Sequence, residues 1–544
     1  MAVVEFFLSD LENLVGKKLS EKELTELIPM MGCPFEKLED GKIYYEIFPN
    51  RPDLLSPEGF ARALRTFLGL SKGLSKYKSK SSGIKLAAKN VESRPYVVAA
   101  VVRNAKLNDY VIGSLIQLQE KIHETFGRKR KKIAIGIHDL DKVKPPFTYK
   151  PAKPKEISFI PLDMKEKMNL GEILDEHPKG KEYAHILKGA REYPVITDSN
   201  GDVLSFPPII NGELTRVTQH TKNLFIDITG TNKLAINQAL NILVTSLAER
   251  GFDVETVEVI GKTKNITPDL KPWRMKVSID YVNKLLDLDL NPQEFRELLG
   301  KMGFEYDGYV LVPPYRVDIM HEMDIVEDAA IGKGYWTFEP KIPKVPTIAE
   351  RSKEDFVYYL RDSLTALGFQ EVMSMILTNK EDEFAKMNKR EEEVCETLNP
   401  VTVECTICRP SLLPSLIKTF SQNKHRDYPQ KIFEVGDVLL PDENQETGVA
   451  IMKKFSAGIS DSKISYEQLS SVLDAFFSNL GIKYSLKKSV HASFIEGRCA
   501  DIFVGKKHLG VIGELHPSVI NNWKLEKPVV ALEMDLEEII KTLT

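Results

Sequence analysis

Four acids in the run VPPYRVDIMHEMDIVED, from Val312 to Asp328, stand at spacings suited to a hard cation: Asp318, Asp324, Glu327 and Asp328. A helix starting near His321 brings the last three onto one face, because residues three and four apart are neighbours on a helix. Asp318 then arrives from the preceding loop. Crowded carboxylates repel one another unless a cation neutralises them, and an all-oxygen donor set suits magnesium or calcium better than zinc. An acidic first turn favoured by the helix dipole has the same composition. Spacing alone leaves both readings open.

The other chemically equipped runs point to less. Cys405 and Cys408 form one CxxC, with Cys395 before it and His425 beyond, and no second pair to complete a zinc site. The five cysteines are odd in number and scattered, as expected of reduced, idle thiols. The basic run Arg128, Lys129, Arg130, Lys131 and Lys132 precedes the apolar Ile133–Ile137. It reads as a solvated turn leading into a strand, or as a phosphate-contacting patch. His138, in GIHDLD, reads as a structural histidine at a strand end.

Punctuation along the chain divides the elements that must position these groups. Breaks at Leu70–Gly83 (a Ser, Lys and Gly-rich linker), at Lys264–Pro272 and at Pro340–Pro346 leave modules at about 1–80, 85–265, 270–345 and 350–544. The first and third are copies. Phe7–Gly32 lies on Ser278–Gly303 without a gap, matching Leu19 with Leu290, Glu23 with Glu294, and Met31-Gly32 with Met302-Gly303. Each copy opens its second helix with a cap, Ser20 with Glu23 or Asn291 with Pro292, and ends it at a glycine. A hairpin follows each, then the exits Arg51-Pro52-Asp53 and Arg316-Val317-Asp318. These are helix-plus-hairpin, winged-helix-like units, equally suited to nucleic acid and to packing.

The second module is β-rich, with strand runs at Val97–Val102, Ile133–Ile137, Pro194–Thr197 and Leu224–Ile228 and a turn at Asp198–Asp202. The fourth mixes strands with two helical stripes, Phe356, Leu360, Leu364 and Leu367 up to Gly368, and Leu469, Val472, Leu473, Phe476 and Leu480 up to Gly481. The expected class is α+β multidomain.

With 544 residues the chain exceeds one core. Its 42% hydrophobic and 28% charged content suit folded domains. No run approaches a membrane span and the N-terminus lacks a secretory pattern, so a cytoplasmic protein is expected. A net charge of −4 neither favours nor excludes a polyanionic partner.

The run PPYRVDIMHEMDIVEDAAIGKGY resembles the signature of the phenylalanyl-tRNA synthetase beta subunit family. So do NRPDLLSPEG (Asn50–Gly59), GRKRKKIAIGIHDLDKV (Gly127–Val143), VLSFPPIINGELT (Val203–Thr215), FIDITGT (Phe225–Thr231), KIFEVGDV (Lys431–Val438) and GVIGELHP (Gly510–Pro517). The compact layout is similar to the archaeal and eukaryotic cytosolic form.

The resemblance implies that Asp318, Asp324, Glu327 and Asp328 bind Mg2+ near a separate alpha subunit. It implies an α2β2 heterotetramer acting on tRNA-Phe, with ATP and phenylalanine bound by the alpha chain. The second module is then an editing module hydrolysing Tyr-tRNA by an oriented water, with Ser205, Asn211, Thr215, Asp227 and Thr229 as its candidate residues. Gly212 leaves the pocket's details open. The fourth module resembles a class II synthetase antiparallel sheet with helices, catalytically silent because it lacks a glycine-rich strand ending in an ATP-binding arginine. A free-standing tRNA deacylase and a non-enzymatic tRNA-binding scaffold are the alternatives.

Overall fold

The computed structural model describes residues 2–343, 345 and 354–543. The chain forms two compact units, Met1–Ile342 and Pro343–Thr544.

The duplication is visible in the first unit. Ala2–Phe7, Lys42–Ile47 and Phe35–Glu39 form a three-stranded sheet with the Lys42–Ile47 strand in the centre, and Trp273–Met275, Val310–Val312 and Glu305–Tyr306 repeat that order. Asp40 and Gly41 turn the first hairpin with φ of 52° and 72°, the left-handed pair a two-residue hairpin needs. Both caps form: Ser20 and Glu23 bond reciprocally, and so do Asn291 and Glu294. The copies differ in the second helix. Pro292–Lys301 is α-helical, whereas the first copy runs as a π-turn over Glu23–Leu27 and a 3-10 turn over Ile28–Met31. Pro29 is the reason, since it has no N–H to donate and its ring crowds the preceding turn.

Between the copies lies a ten-stranded mixed sheet. From one edge it runs Ile210–Asn211, Val203–Phe206, Tyr193–Thr197, Phe147–Ala152, Ser79–Ala88, Asp253–Ile260, Tyr96–Arg103, Leu224–Gly230 and Ile133–Asp139, with Lys264–Thr267 beside Asp253–Ile260. The end of the Leu70–Gly83 segment is therefore strand and not linker: Val254 pairs with Ser79 and Thr256 with Ser81. Lys264–Thr267, expected as a break, is likewise paired. In both places backbone groups beside an unsatisfied strand are worth pairing whatever the side chains.

Helices Asp109–Glu124 and Lys233–Glu249 cover one face, packing Leu115, Leu118, Ile236 and Leu240 onto Val98, Ala100, Ile135 and Ile226 in a core that also takes Phe6 and Phe60 of the first copy. The sheet curls so that its two edges meet. Asn211 Nδ2 donates to Ile137 O across the seam at 3.4 Å.

The second unit is a seven-stranded sheet in the order Gln370–Glu371, Gln430–Pro441, Val449–Ser460, Val529–Asp535, Lys507–Leu515, Phe494–Val504, Ser485–Lys488, antiparallel except for its first pair. Helices Glu354–Ala366 and Tyr466–Asn479 carry the two expected apolar stripes onto one face. Leu413–Gln422 and Pro517–Asn522 cover the other. The Pro340–Pro346 break falls partly outside the described residues. Among the described residues no helix is long and apolar enough to cross a membrane.

Candidate functional site

A cavity of about 460 Å³ opens at the seam of the large sheet, within the size range of small-molecule sites. The edge strand Ile133–Asp139, the helix Asp109–Glu124 and the loop Ser205–Val217 wall it. Of the five polar residues singled out in the two sequence runs, Ser205, Asn211, Thr215 and Asp227 line it, and Thr229 does not.

A line of hydrogen bonds crosses the cavity's floor. His138 Nε2 lies 2.8 Å from Asp227 Oδ2, and His138 Nδ1 lies 2.8 Å from Thr215 Oγ1. All three side chains are at most 1% exposed. Cross-strand register makes this possible. Asp227 sits opposite Gly136 and Phe225 opposite His138, so His138 reaches diagonally over Gly136. A Cβ at Gly136 would come within 2.3 Å of Asp227 Oδ2, so only glycine leaves room for the pair. His138 lies at the strand end as expected, and it also joins two of the candidates. In one arrangement Asp227 accepts from Nε2–H and Nδ1 accepts from the Thr215 hydroxyl, whose other acceptor is Gly212 O at 3.3 Å.

Ser205 Oγ is buried with no hydrogen-bond partner, a hydroxyl left for a ligand or water. Gly212 has no space for a side chain, since a Cβ there would stand 2.7 Å from Val203 O.

Thr229 does a different job. Its hydroxyl and carbonyl accept from the buried Arg94, at 3.2 and 2.8 Å, and Arg94 also donates to Arg130 O and Lys131 O at 3.2 and 3.3 Å. Burial lowers the Arg94 pKa to about 10. Arg130, within the basic run, is buried rather than solvated. Its guanidinium reaches Ile209 O at 3.0 Å and Glu120 at 2.9 Å, and stacks over Tyr183 at 4.4 Å. Burial raises the Glu120 carboxyl, but His123 and Arg130 outweigh it and hold its pKa at about 2. Glu120, His123 and Arg130 all border the cavity; Arg130 belongs to the basic run, whereas Glu120 and His123 stand in no motif of the sequence.

The acids of the third module do not form the expected cage. Arg316 donates to Asp318 at 2.7 Å and to Asp328 at 2.5 Å, all three side chains being nearly buried. Asp324 Oδ2 accepts the N–H groups of Met320 and His321, each at 2.7 Å, closing a capping box with His321. Glu327 faces solvent. Two acids thus already have a cation, one caps the helix Glu322–Lys333 and one points away. Among the described residues, no three His, Cys, Asp or Glu side chains are grouped to hold a metal ion. The Mg2+ assignment of Asp318, Asp324, Glu327 and Asp328 does not fit this arrangement, because Arg316 already holds Asp318 and Asp328 and Asp324 is spent on a helix cap. The first copy repeats the motif in Arg51 and Asp53, 2.8 Å apart.

The cysteines are free thiols; Cys33 and Cys499 are buried, the other three half-buried.

Three family models match the chain: the B3/4 domain over residues 85–262, the tRNA synthetase B5 domain over 275–335, and the phenylalanyl tRNA synthetase beta chain CLM domain over 339–536. The chain is 44% identical to the phenylalanine–tRNA ligase beta subunit of Methanocaldococcus jannaschii, across 97% of this chain and 98% of that one. It is 44% identical to the subunit of Pyrococcus furiosus, across 98% and 99%. A crystal structure of an N-terminal fragment of the Pyrococcus horikoshii phenylalanyl-tRNA synthetase beta subunit superposes with a TM-score of 0.59 at 44% identity, covering 61% of this chain and 99% of the fragment.

Proposed function

The chain belongs to the family of phenylalanine–tRNA ligase beta subunits, and from that premise we propose that it partners a separate alpha chain in the ATP-dependent attachment of phenylalanine to tRNA-Phe, and that its seam cavity hydrolyses Tyr-tRNA made in error. ATP and phenylalanine belong to the alpha chain in this reading, in an α2β2 assembly in the cytoplasm. The seven-stranded sheet is a silent class II-like partner of the catalytic domain. A free-standing deacylase would have no use for the family-matched residues 339–536, and a passive scaffold no use for a buried hydrogen-bonded line at the foot of a cavity.

The observation that carries the editing function is the line Asp227–His138–Thr215. An aminoacyl ester is activated enough that an oriented water suffices as nucleophile. Asp227 fixes the Nε2–H tautomer of His138, leaving Nδ1 as the base. As water attacks the ester carbonyl, its proton passes to Thr215 Oγ1 while the Thr215 proton passes to His138 Nδ1. The imidazolium so formed is stabilised by Asp227 and returns the proton to the departing ribose oxygen by the same route. Ser205 Oγ, unpartnered and buried, and the Asn211 amide offer hydrogen bonds to the amino acid. A buried polar group left unpaired by phenylalanine but satisfied by tyrosine discriminates well, where an apolar pocket that must exclude a hydroxyl does not. A magnesium ion on Asp318, Asp324, Glu327 and Asp328 has no part in this reading, because Arg316 already bridges two of the four.

Asp227→Ala tests the assignment in the complex with an alpha chain. Phenylalanine charging should stay within about twofold of the parent, while Tyr-tRNA clearance falls by at least about 100-fold, the scale of positioned acid–base groups. Clearance at the parental rate would refute the site.

A further inference from the structure

We propose that the loop Arg128–Lys132 is the phosphate-binding lip of the seam cavity, gripping the single-stranded sugar-phosphate end that carries the ester; this rests on the cavity being the deacylation site. The loop presents Arg128, Lys129 and Lys131 to solvent. No carboxylate pairs with any of the three among the described residues, whereas Arg130 between them pairs with Glu120. Three uncompensated cations on four consecutive positions make a local positive field on a chain whose net charge is −4. Such a field suits a polyanion and serves no purpose in packing.

The backbone is shaped for that display. Arg128, Lys129 and Arg130 have φ of 50°, 52° and 64°, one left-handed turn of non-glycine residues. Left-handed geometry is unfavourable for any residue with a Cβ. A turn that merely joined the helix Asp109–Glu124 to the strand Ile133–Asp139 would be cheaper with glycine at these positions. The strain persists because the loop is tied at many points. Arg94 donates to Arg130 O and Lys131 O from beneath, Lys132 N donates to Gly127 O at 2.8 Å, and the Arg130 side chain reaches into the cavity wall at Ile209 O. The inward-facing arginine thus anchors the lip to the cavity it serves and its neighbours face out. Thr229 enters here as well, holding Arg94, which holds the lip. Backbone strain that is over-determined in this way gathers at ligand clamps.

The test is steady-state deacylation of Tyr-tRNA by the complex carrying Arg128→Gln, Lys129→Gln and Lys131→Gln together. KM for Tyr-tRNA should rise about tenfold with kcat unchanged, and the slope of log(kcat/KM) against log salt should become shallower by about 2, the share of three single-strand phosphate contacts. In the parent complex, Lys129 and Lys131 should be shielded from amine acetylation by tRNA. This second reading needs no variant and stands even if the triple variant folds poorly. An unchanged salt slope, a loss confined to kcat, or lysines that stay reactive under saturating tRNA would each overturn the lip. A parent complex that never deacylates Tyr-tRNA would instead sink the editing assignment itself.

Discussion

Glu383 is 1% exposed and neither of its carboxylate oxygens has a hydrogen-bond partner. Burial, with Glu533 nearby, raises its pKa from 4.5 to about 8. The folded chain therefore keeps a proton that the unfolded chain releases near pH 4.5. Its stabilising contribution is complete below that pH and is lost as pH rises through about 8. Over that window the slope is up to about 1.4 kcal/mol per pH unit. Glu383→Gln removes the titration, so in urea unfolding the variant should gain on the parent between pH 5 and pH 8.5. A gap between the two proteins that does not change with pH would refute the buried neutral acid. At this scale the sequence was legible where a residue's role is local. Ser205, Asn211, Thr215 and Asp227 stood out in their runs and share the cavity. His138 was read as a structural residue and its partnership with Asp227 was not legible, because it depends on which residues face each other across two strands 89 positions apart, and one strand's pattern carries no register. Arg130 was hidden inside a charge run from which three neighbours point outward.

Elements were read best where period and caps agree. The helix-plus-hairpin repeat, the capping boxes and the two stripes ending at Gly368 and Gly481 follow from residues within one turn of each other, although the first copy's second helix departs to a π-turn and a 3-10 turn. They were read worst where a charge was matched from outside the element. The acids at 324, 327 and 328 share a helix as their spacing demands, but Arg316, two residues before Asp318, holds Asp318 and Asp328 and competes with any metal for those two. The consequence is measurable. The chain's melting temperature should not change on moving from excess EDTA to millimolar magnesium. Arg316→Met should lower its stability by about 3–5 kcal/mol, because it strands two buried carboxylates. Calorimetry with and without EDTA checks the first and denaturant unfolding the second. A melting point that falls with EDTA in the parent protein would restore the cation to the cluster.

For the whole molecule, family membership extends over almost the entire length, so the second unit must be accounted for along with the cavity. Its antiparallel sheet is covered by helices on both faces, yet Met373, Leu398 and Val401 are at least 95% exposed. Exposed apolar side chains of this kind are what a face covered by the proposed alpha chain would offer. The proposed reading also leaves ATP to the alpha chain, with this unit catalytically silent. Both points lead to the same expectation. The purified chain alone should give no phenylalanine-dependent exchange of pyrophosphate into ATP, and adding an alpha-type chain should bring that exchange about, with the two chains eluting together. Tyr-tRNA hydrolysis should not follow that pattern in full, because every residue of the Asp227–His138–Thr215 line lies in this chain. The isolated chain should keep measurable deacylation while it has no activation activity. Exchange activity in the chain alone would overturn the division of labour between the two subunits, and deacylation that vanishes entirely without the alpha chain would show that the cavity is completed from outside.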